Sequence, residues 1–526
     1  MDESYHNLLA AGIEKKYRAL ELSIMEDVVR RIQKAGKITS TADWQIQRLI
    51  ILGNSTEDIR ALVAEAVDGN EETVRELYAE VIANEYTSQK AIYEAAGKEF
   101  IPYEKNAELH QITEALIRQS TDEISNITKS TGFMVDMGNG KTVFTPLSDI
   151  YNDYLDEAIT GMATGAYDYN TLVRKTTSMM TRSGLRSNYA FSDTRTDYGI
   201  DYASGRHNRI DVAVRRALLT GFGQLAGRVT EMNAQQLNTN LFEVSAHAAA
   251  RPSHAEWQGR VWTKQQLTEV CGLGSGGGLC GWNCRHSYYP FIKGISQRNY
   301  TDADLEAMAA KEARTRKFRG KEYNAYEATQ KQRQIETALR AKREKVQLLR
   351  QAHADRDDIV EAQCRYQAQL DEYKSFCQFM GLEKQTERIY TGRTPGRISP
   401  SPEVYQDYLR KLDIKRTDDK LKIKAKAIGF SGKITSDVRP IDLTDYAFDY
   451  QHINLERKHN VTKSEAIRFM YEARFQAERW NGRFMNFYSR GGSVYVDTEK
   501  KTIRTAFTAH EYDEKIKGML EVLDGE

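Results

Sequence analysis

Cysteine and proline are both scarce in this chain. Five cysteines in 526 residues are few, and odd in number, for a disulfide-stapled scaffold. They fit free or metal-bound thiols in a reducing compartment better. Only eight prolines occur, and four of them lie between Pro395 and Pro440. No apolar run approaches the roughly 20 residues that a membrane span needs. Net charge is also nearly absent: 75 Lys and Arg against 74 Asp and Glu leave +1, so no global field draws the chain onto nucleic acid or a membrane. The N-terminal MDESYHNLLAAG is acidic and polar, unlike a secretory signal.

What is present is the composition of a soluble folded protein, 40% hydrophobic and 28% charged. The length exceeds what one hydrophobic core organises, and roughly three or four domains are expected. From Ile13 to about Ser130 the apolar spacing is helical, with Leu22, Met25, Val29 and Ile32 at three- and four-residue steps. Gly36 and Gly53 with Asn54 punctuate it. MVDMGNGKTVF alternates around Asn139-Gly140, a hairpin signal. Helical patterning resumes in SDIYNDYLDEAI and in RIDVAVRRALLTGFG. Residues 302–390 are helical but very polar. There Ile335, Leu339, Val346 and Leu349 give a partial heptad that Arg356 and Gln363 break, predicting a helical hairpin or extended arm. TGRTPGRISPSP predicts a linker. Beyond it, KLKIKAKAIGF and SVYVDTEKKTIRTAF predict strands, and SEAIRFMYEARFQAERW a helix of about four turns.

The densest chemistry lies between His247 and Tyr289, which hold three of the ten histidines, three of the five cysteines and three of the five tryptophans. Cys271, Cys280, Cys284 and His286 give C-x8-C-x3-C-x-H, with His247 and His254 upstream. Thiolates and imidazoles suit zinc, and the candidate structural set is Cys280, Cys284, His286 and His254. The opposing reading packs the cysteines as small hydrophobes and lets His254 hydrogen-bond a loop. No carboxylate stands as a general base for a catalytic metal. Gly272 to Gly277 match G-x-G-x-x-G, but no helix follows as a dinucleotide fold requires, and the glycines predict a flexible loop.

The strings YASGRHNRIDVAVRRALLTG, VSAHAAARPSHAEWQG and GLCGWNCRHSYYPFIKGIS resemble the tailed-phage minor capsid protein 2 family over about residues 1 to 390. That family is related to the Mu F-type head morphogenesis proteins. Their Arg-x-x-His and Asn-Cys-Arg-[Cys/His] elements correspond here to Arg251–His254 and Asn283–His286. The resemblance implies a virion protein of the phage head interior, made in the host cytoplasm. Its partners would be the portal, other capsid proteins and, in one version, phage DNA. The basic segment YASGRHNRIDVAVRR could face DNA or acidic portal residues. Its alternative is an amphipathic helix with Val212, Val214, Leu218 and Leu219 at the core and Arg215 and Arg216 in solvent.

After the linker, His452 and His459 flank INLERK, and FYSRGGSVYVDTEKKTIRTAF and His510 follow. A metal-independent ribonuclease needs a base or acid of near-neutral pKa at the 2′-hydroxyl, with cations and hydroxyls around the phosphorane-like transition state. His459, or His452 in exchange, supplies the first. Arg457, Arg490, Lys501, Arg504, Ser489 and Thr505 supply the second, with Arg504 and Thr505 on opposite faces of a regular strand. The pattern resembles the barnase/EndoU/colicin/RelE-like nucleases fused to phage head proteins. This implies Arg457, His459, Ser489 and Thr505 as catalytic, host RNA as substrate, and delivery to the host cell. The alternative is a purely structural virion protein whose last domain is a non-catalytic binding module.

The expected fold class is therefore multidomain. A mainly α N-terminal and central region (1–225) leads to a small α+β Cys/His/Trp capsid module (226–300). A polar helical arm (301–394), a linker (395–402) and a C-terminal α+β domain (403–526) follow.

Overall fold

The computed structural model describes residues 3–35, 57–136, 141–187, 208–281, 284–390 and 398–524. Gly36, Gly53, Asn54, Asn139, Gly140, Tyr202 to His207, Trp282, Asn283 and Pro395 lie outside them. The chain forms two compact units, Met1–Pro400 and Ser401–Glu526. The first is mainly α with small sheets, and the second is α+β. No helix among the described residues is long and apolar enough to cross a membrane.

The first unit begins with α1 (Glu3–Ala35), which carries Leu22, Met25, Val29 and Ile32 into the core as their spacing predicts. Residues 57–67 (α2), α3 (Asn70–Glu85), α4 (Lys90–Ala95) and α5 (Ala107–Lys129) follow. The hairpin of β1 (Thr131–Asp136) and β2 (Thr142–Pro146) is antiparallel. After α6 (Leu147–Ala163) and α7 (Tyr169–Ser183), the short β3 (Arg186–Ser187) and β4 (Asn208–Arg209) extend that sheet to the order β2-β1-β3-β4. Next, α8 (Ile210–Gln236) packs against α1, α3 and α5. Gly221 permits this approach, because a Cβ there would sit 2.0 Å from the Tyr78 hydroxyl and 2.6 Å from Ser120 Oγ. In α8, Val214 and Leu218 are fully buried and Leu219 partly so, while Val212 faces solvent. Arg215 is not a solvated arginine as expected: it is half-buried, 3.7 Å from Glu14.

A small module continues from α8. Its sheet orders β6 (Val261–Thr263), β5 (Leu241–Val244) and β7 (Tyr288–Phe291), all antiparallel, with α9 (Pro252–Ala255) and α10 (Lys264–Glu269) in the connections. Its core holds Phe242, Val244, Trp257, Leu267, Cys271, Leu279 and Tyr288.

The helix α11 (Asp302–Glu312) and the ribbon β8 (Arg316–Phe318) with β9 (Lys321–Tyr323) lead into α12 (Ala325–Gln351) and α13 (Arg356–Met380). These two helices form the expected hairpin, turning just before Arg356 where the heptad fails. They do not form an arm of their own. Ile335, Leu339, Val346 and Leu349 join one core with α1, α7 and α8, because only that stripe is apolar and the polar residues coat its outside. Ile398, placed in the expected linker, is also part of that core, and Gln363 donates to its carbonyl at 2.8 Å.

Charges pin the centre of this unit. Asp211 Oδ2 accepts from Arg340 Nη1 at 2.7 Å and Arg18 Nε at 3.2 Å. Glu21 Oε1 accepts from Arg209 Nη2 and from the Leu185 amide, both at 2.6 Å. Glu344 lies 3.8 Å from Arg340 and 3.9 Å from Arg209. All six charged side chains are buried. Burial resists the charge on Asp211, but the guanidiniums of Arg340, Arg209 and Arg18 outweigh it and hold its carboxyl well below the usual carboxylate range. Burial, with Glu21 alongside, pushes Glu344 up instead. Gly184, at φ 67, ends α7 and makes room, since a Cβ there would lie 2.5 Å from the Arg209 guanidinium carbon.

In the second unit, α14 (Pro402–Ile428) starts on a Ser401 cap with Pro402 in its first turn and ends at left-handed Gly429. It contains the segment KLKIKAKAI, which was expected as a strand. The alternation spans few apolar residues, whereas burial follows Thr417, Leu421 and Ala425 at i, i+4 and i+8, leaving Ile423 73% exposed. The strands β10 (Lys433–Thr435) and β11 (Ala447–Phe448), the helix α15 (Lys463–Tyr471) and the strands β12 (Phe475–Arg479), β13 (Phe484–Tyr488), β14 (Gly492–Asp497) and β15 (Thr502–Thr508) follow. Helix α16 (Glu514–Asp524) comes last. The predicted four-turn helix stops at Tyr471, and its second half is β12, where Phe475 and Ala477 alternate into the core. SVYVD and TIRTAF form β14 and β15 as expected. The sheet runs β10-β12-β13-β14-β15-β11, antiparallel except for β11 beside β15. Both faces are covered. Leu421, Ile516 and Met519 pack on one with Phe475 and Tyr488, and Ile453, Phe469 and Met470 on the other with Val494 and Ile503.

Removing one partner of a buried charge cluster leaves the others uncompensated. We expect Asp211→Ala to lower the stability of the helical unit by about 3–5 kcal/mol, measured by urea unfolding of the full chain. A loss under about 1 kcal/mol, the range of exposed pairs, would mean that solvent screens the cluster.

Candidate functional site

The Cys/His window folds so that His254, Cys284 and His286 bring one ligand atom each within 4.8 Å of one another. His254 sits on the short α9, begun by Pro252, and His286 and Cys284 on the segment entering β7. Cys284 Sγ lies 3.6 Å from His286 Nδ1 and 3.8 Å from His254 Nδ1. The far nitrogens are both committed. His254 Nε2 donates to the Gly277 carbonyl at 2.9 Å. His286 Nε2 is 3.0 Å from Gln258 Oε1, an atom that also accepts the His247 amide at 3.1 Å. The amide proton fixes the oxygen of Gln258 there, so His286 Nε2 must be the donor. Trp257 walls the site, 4.6 Å from the His254 ring and 4.8 Å from His286. Burial lowers the pKa of His254 and takes His286 down to about 2, so both rings are neutral. Burial also raises the Cys284 thiol.

The cysteines divide differently from their spacing. Cys271 is a core residue beside Leu267 and Leu279, its thiol pushed up to about 12 by burial. Cys280, at φ 58, has its Sγ 3.6 Å from the His286 carbonyl and is not among the three converging ligands. The glycine run is a series of turns, open at Gly274 and Gly277 and close-packed beyond them. A Cβ on Gly278 would meet the Gly272 carbonyl at 2.2 Å, and one on Gly281 the Ser275 carbonyl at 2.5 Å. It serves the site by presenting the Gly277 carbonyl to His254. Beside it, a cleft of about 160 Å³ is lined by His247, Arg251, His254, Arg285 and Arg333.

In the second unit His459 Nδ1 lies 2.6 Å from Glu511 Oε2, and its ring packs 5.5 Å from Phe507. The carboxylate accepts Nδ1–H and orients the imidazole. His452 pairs locally with Glu456 at 3.1 Å, on a π-helical turn, Gln451–Glu456. Arg457 is exposed at the end of that turn. Thr505 pairs with Tyr495 in β15, half-buried and two residues from Phe507. The strand is not regular there: Val496 pairs with Ile503, so Arg504 is the extra residue of a bulge. Its guanidinium lies 5.5 Å from the Phe484 ring, in the open. Ser489 does not suit the catalytic role expected of it. It is wholly buried, donates to the Gly492 carbonyl at 2.9 Å, and accepts the amides of Gly491 at 3.1 Å and Gly492 at 3.0 Å. Its hydroxyl closes the turn between β13 and β14.

A family model for phage minor capsid protein 2 matches residues 1–378, well over half of the chain. The chain belongs to the phage minor capsid protein 2 family. No curated protein and no solved structure matches it. Membership makes the protein a component of the phage head, with other head proteins as its partners. The matched span includes the whole Cys/His/Trp module of this minor capsid protein and ends inside α13, before the second unit begins.

Several site residues of this minor capsid protein carried little signal in the sequence. Gln258, four residues after His254, gave a weak one through helical spacing. Glu511 stands 52 positions from His459 and gave none. For Ser489, the turn geometry predicts a stability effect. Ser489→Ala strips the buried amide of Gly492 and the part-buried amide of Gly491 of their acceptor and is expected to destabilise the second unit by about 1–3 kcal/mol. Faster hydrogen exchange at Gly491 and Gly492 would register it, and unchanged exchange would count against the turn role.

Proposed function

We propose that this minor capsid protein is a structural component of the head at its portal, in which residues 1–400 do the assembly work. The observation that carries the reading is the overlap between the family match, residues 1–378, and a core whose members range from Leu9 to Ile398, the small module within that span keeping its own. A core pinned by buried charges suits a part that must hold one shape while other subunits assemble on it. Mass spectrometry of purified virions and proheads tests it, together with co-purification of the portal from infected cells. We expect the chain in particles and bound to portal. Absence from both particle types would overturn the reading, and presence without portal binding would remove the portal assignment.

A second activity, RNA cleavage by residues 401–526, is favoured by one contact, the 2.6 Å bond from His459 Nδ1 to Glu511. With Nδ1–H held, Nε2 is positioned to take the proton of a ribose 2′-hydroxyl, and Arg457 is exposed two residues away for phosphate. Ser489 has no part in this version, and His452 is an alternative base with Glu456 as its orienting group. Incubating the full chain with RNA in the presence of EDTA tests it. We expect cleavage that falls by about 10²–10⁴-fold in His459→Ala and by less in Glu511→Gln. Intact RNA with the folded wild-type chain would leave the unit as a binding module.

A further inference from the structure

Among the described residues, the hydrogen bonds around Cys284 do not close with protein atoms alone. His254 and His286 each give their Nε2 proton to an oxygen, Gly277 O and Gln258 Oε1. Each therefore aims a bare Nδ1 lone pair at the same sulfur. A thiol has one proton and can serve only one of the two. Both histidines are buried, and a buried acceptor without a donor costs as much as a lost hydrogen bond. A cation held between the three atoms, with the sulfur as thiolate, satisfies all of them at once.

The distances fit that arrangement. In a tetrahedral site, sulfur at ~2.3 Å and nitrogen at ~2.0–2.1 Å from the metal stand about 3.5 Å apart. The observed Sγ–Nδ1 separations are 3.6 and 3.8 Å, and the three ligand atoms lie within 4.8 Å of one another, so the two nitrogens would draw in toward the ~3.3 Å of a tetrahedral pair as the ion binds. The far sides of both rings carry the oxygen acceptors that metal-binding histidines require to fix their tautomer. Two imidazoles and one thiolate are a borderline-soft donor set that favours zinc over magnesium or calcium. The site lies within the first unit, independent of the nuclease reading.

We infer that His254, Cys284 and His286 bind one zinc ion, with water as the fourth ligand, and that the ion clips the α9 loop to the strand entry at Cys284. Cys271 and Cys280 are outside it. The ion would join segments 30 residues apart in sequence, across the turn that carries the Gly277 carbonyl.

The full-length protein, purified without chelator, should carry one zinc per chain by elemental analysis. After removal of zinc, titration with cobalt(II) should produce a thiolate-to-metal charge-transfer band in the near ultraviolet. Cys284→Ala should abolish the band, and Cys271→Ala should leave it unchanged. His254→Gln should weaken cobalt binding at least tenfold. Alkylation of the wild type gives a readout that does not depend on the folding of Cys284→Ala, with Cys284 protected by zinc and exposed by chelator. A folded wild-type chain with neither zinc nor a cobalt band overturns the site, as does a band that survives in folded Cys284→Ala.

Discussion

The first unit depends on charges that cannot be moved apart. Arg18 comes from α1, Asp211 from the first turn of α8, and Arg340 and Glu344 from α12. Arg209 precedes α8, and Glu21 of α1 also holds the Leu185 amide after α7. Replacing such a cluster with well-packed apolar residues is often neutral or better for stability, so its value lies elsewhere. Apolar side chains tolerate sliding, whereas a buried guanidinium that loses its carboxylate does not. The cluster thus selects one register of α1, α8 and α12 from the many that hydrophobic packing alone would allow. It also explains why the polar α12 sits within the unit: two of its charges are needed at the centre.

Much of the helical framework was legible because burial and periodicity agree there. Met25, Val29 and Ile32, and later Ile335, Leu339 and Val346, lie where their spacing puts them. The failures have specific causes. KLKIKAKAI alternates with period two over too few apolar residues to decide, and its caps at Ser401 and Gly429 prevail. Arg209 looked like part of a basic surface because a sequence does not show which acids will surround it. The arm was misjudged for the same reason, since its charged residues include the ones the core uses.

The candidate site shows the same limit at finer scale. Residue types placed soft-ligand chemistry in the right window, but spacing grouped Cys280 with Cys284, and of the two only Cys284 converges with both histidines, while Cys280 faces the His286 carbonyl. Cys271 is claimed by the module core, and Cys280 by a left-handed turn. What singles out Cys284 is two imidazoles oriented by Gln258 and Gly277, and neither partner is of a type that advertises function. In the second unit, a resemblance and a place downstream of the histidines marked Ser489 as a catalytic hydroxyl, and the glycines two and three residues after it are the reason its hydroxyl is occupied.

The helix α8 spans 27 residues, about 40 Å at 1.5 Å per residue. Asp211 seats its first turn in the charge cluster. At its other end Thr230 bonds the Tyr288 carbonyl of the small module, and Asn233 accepts from the Tyr93 hydroxyl. Gly221 presses its middle against Tyr78 and Ser120, too closely for the rod to bow in that direction. Such a strut has little compliance of its own. A displacement of the module along α8 would therefore reach Asp211 and the arginines around it.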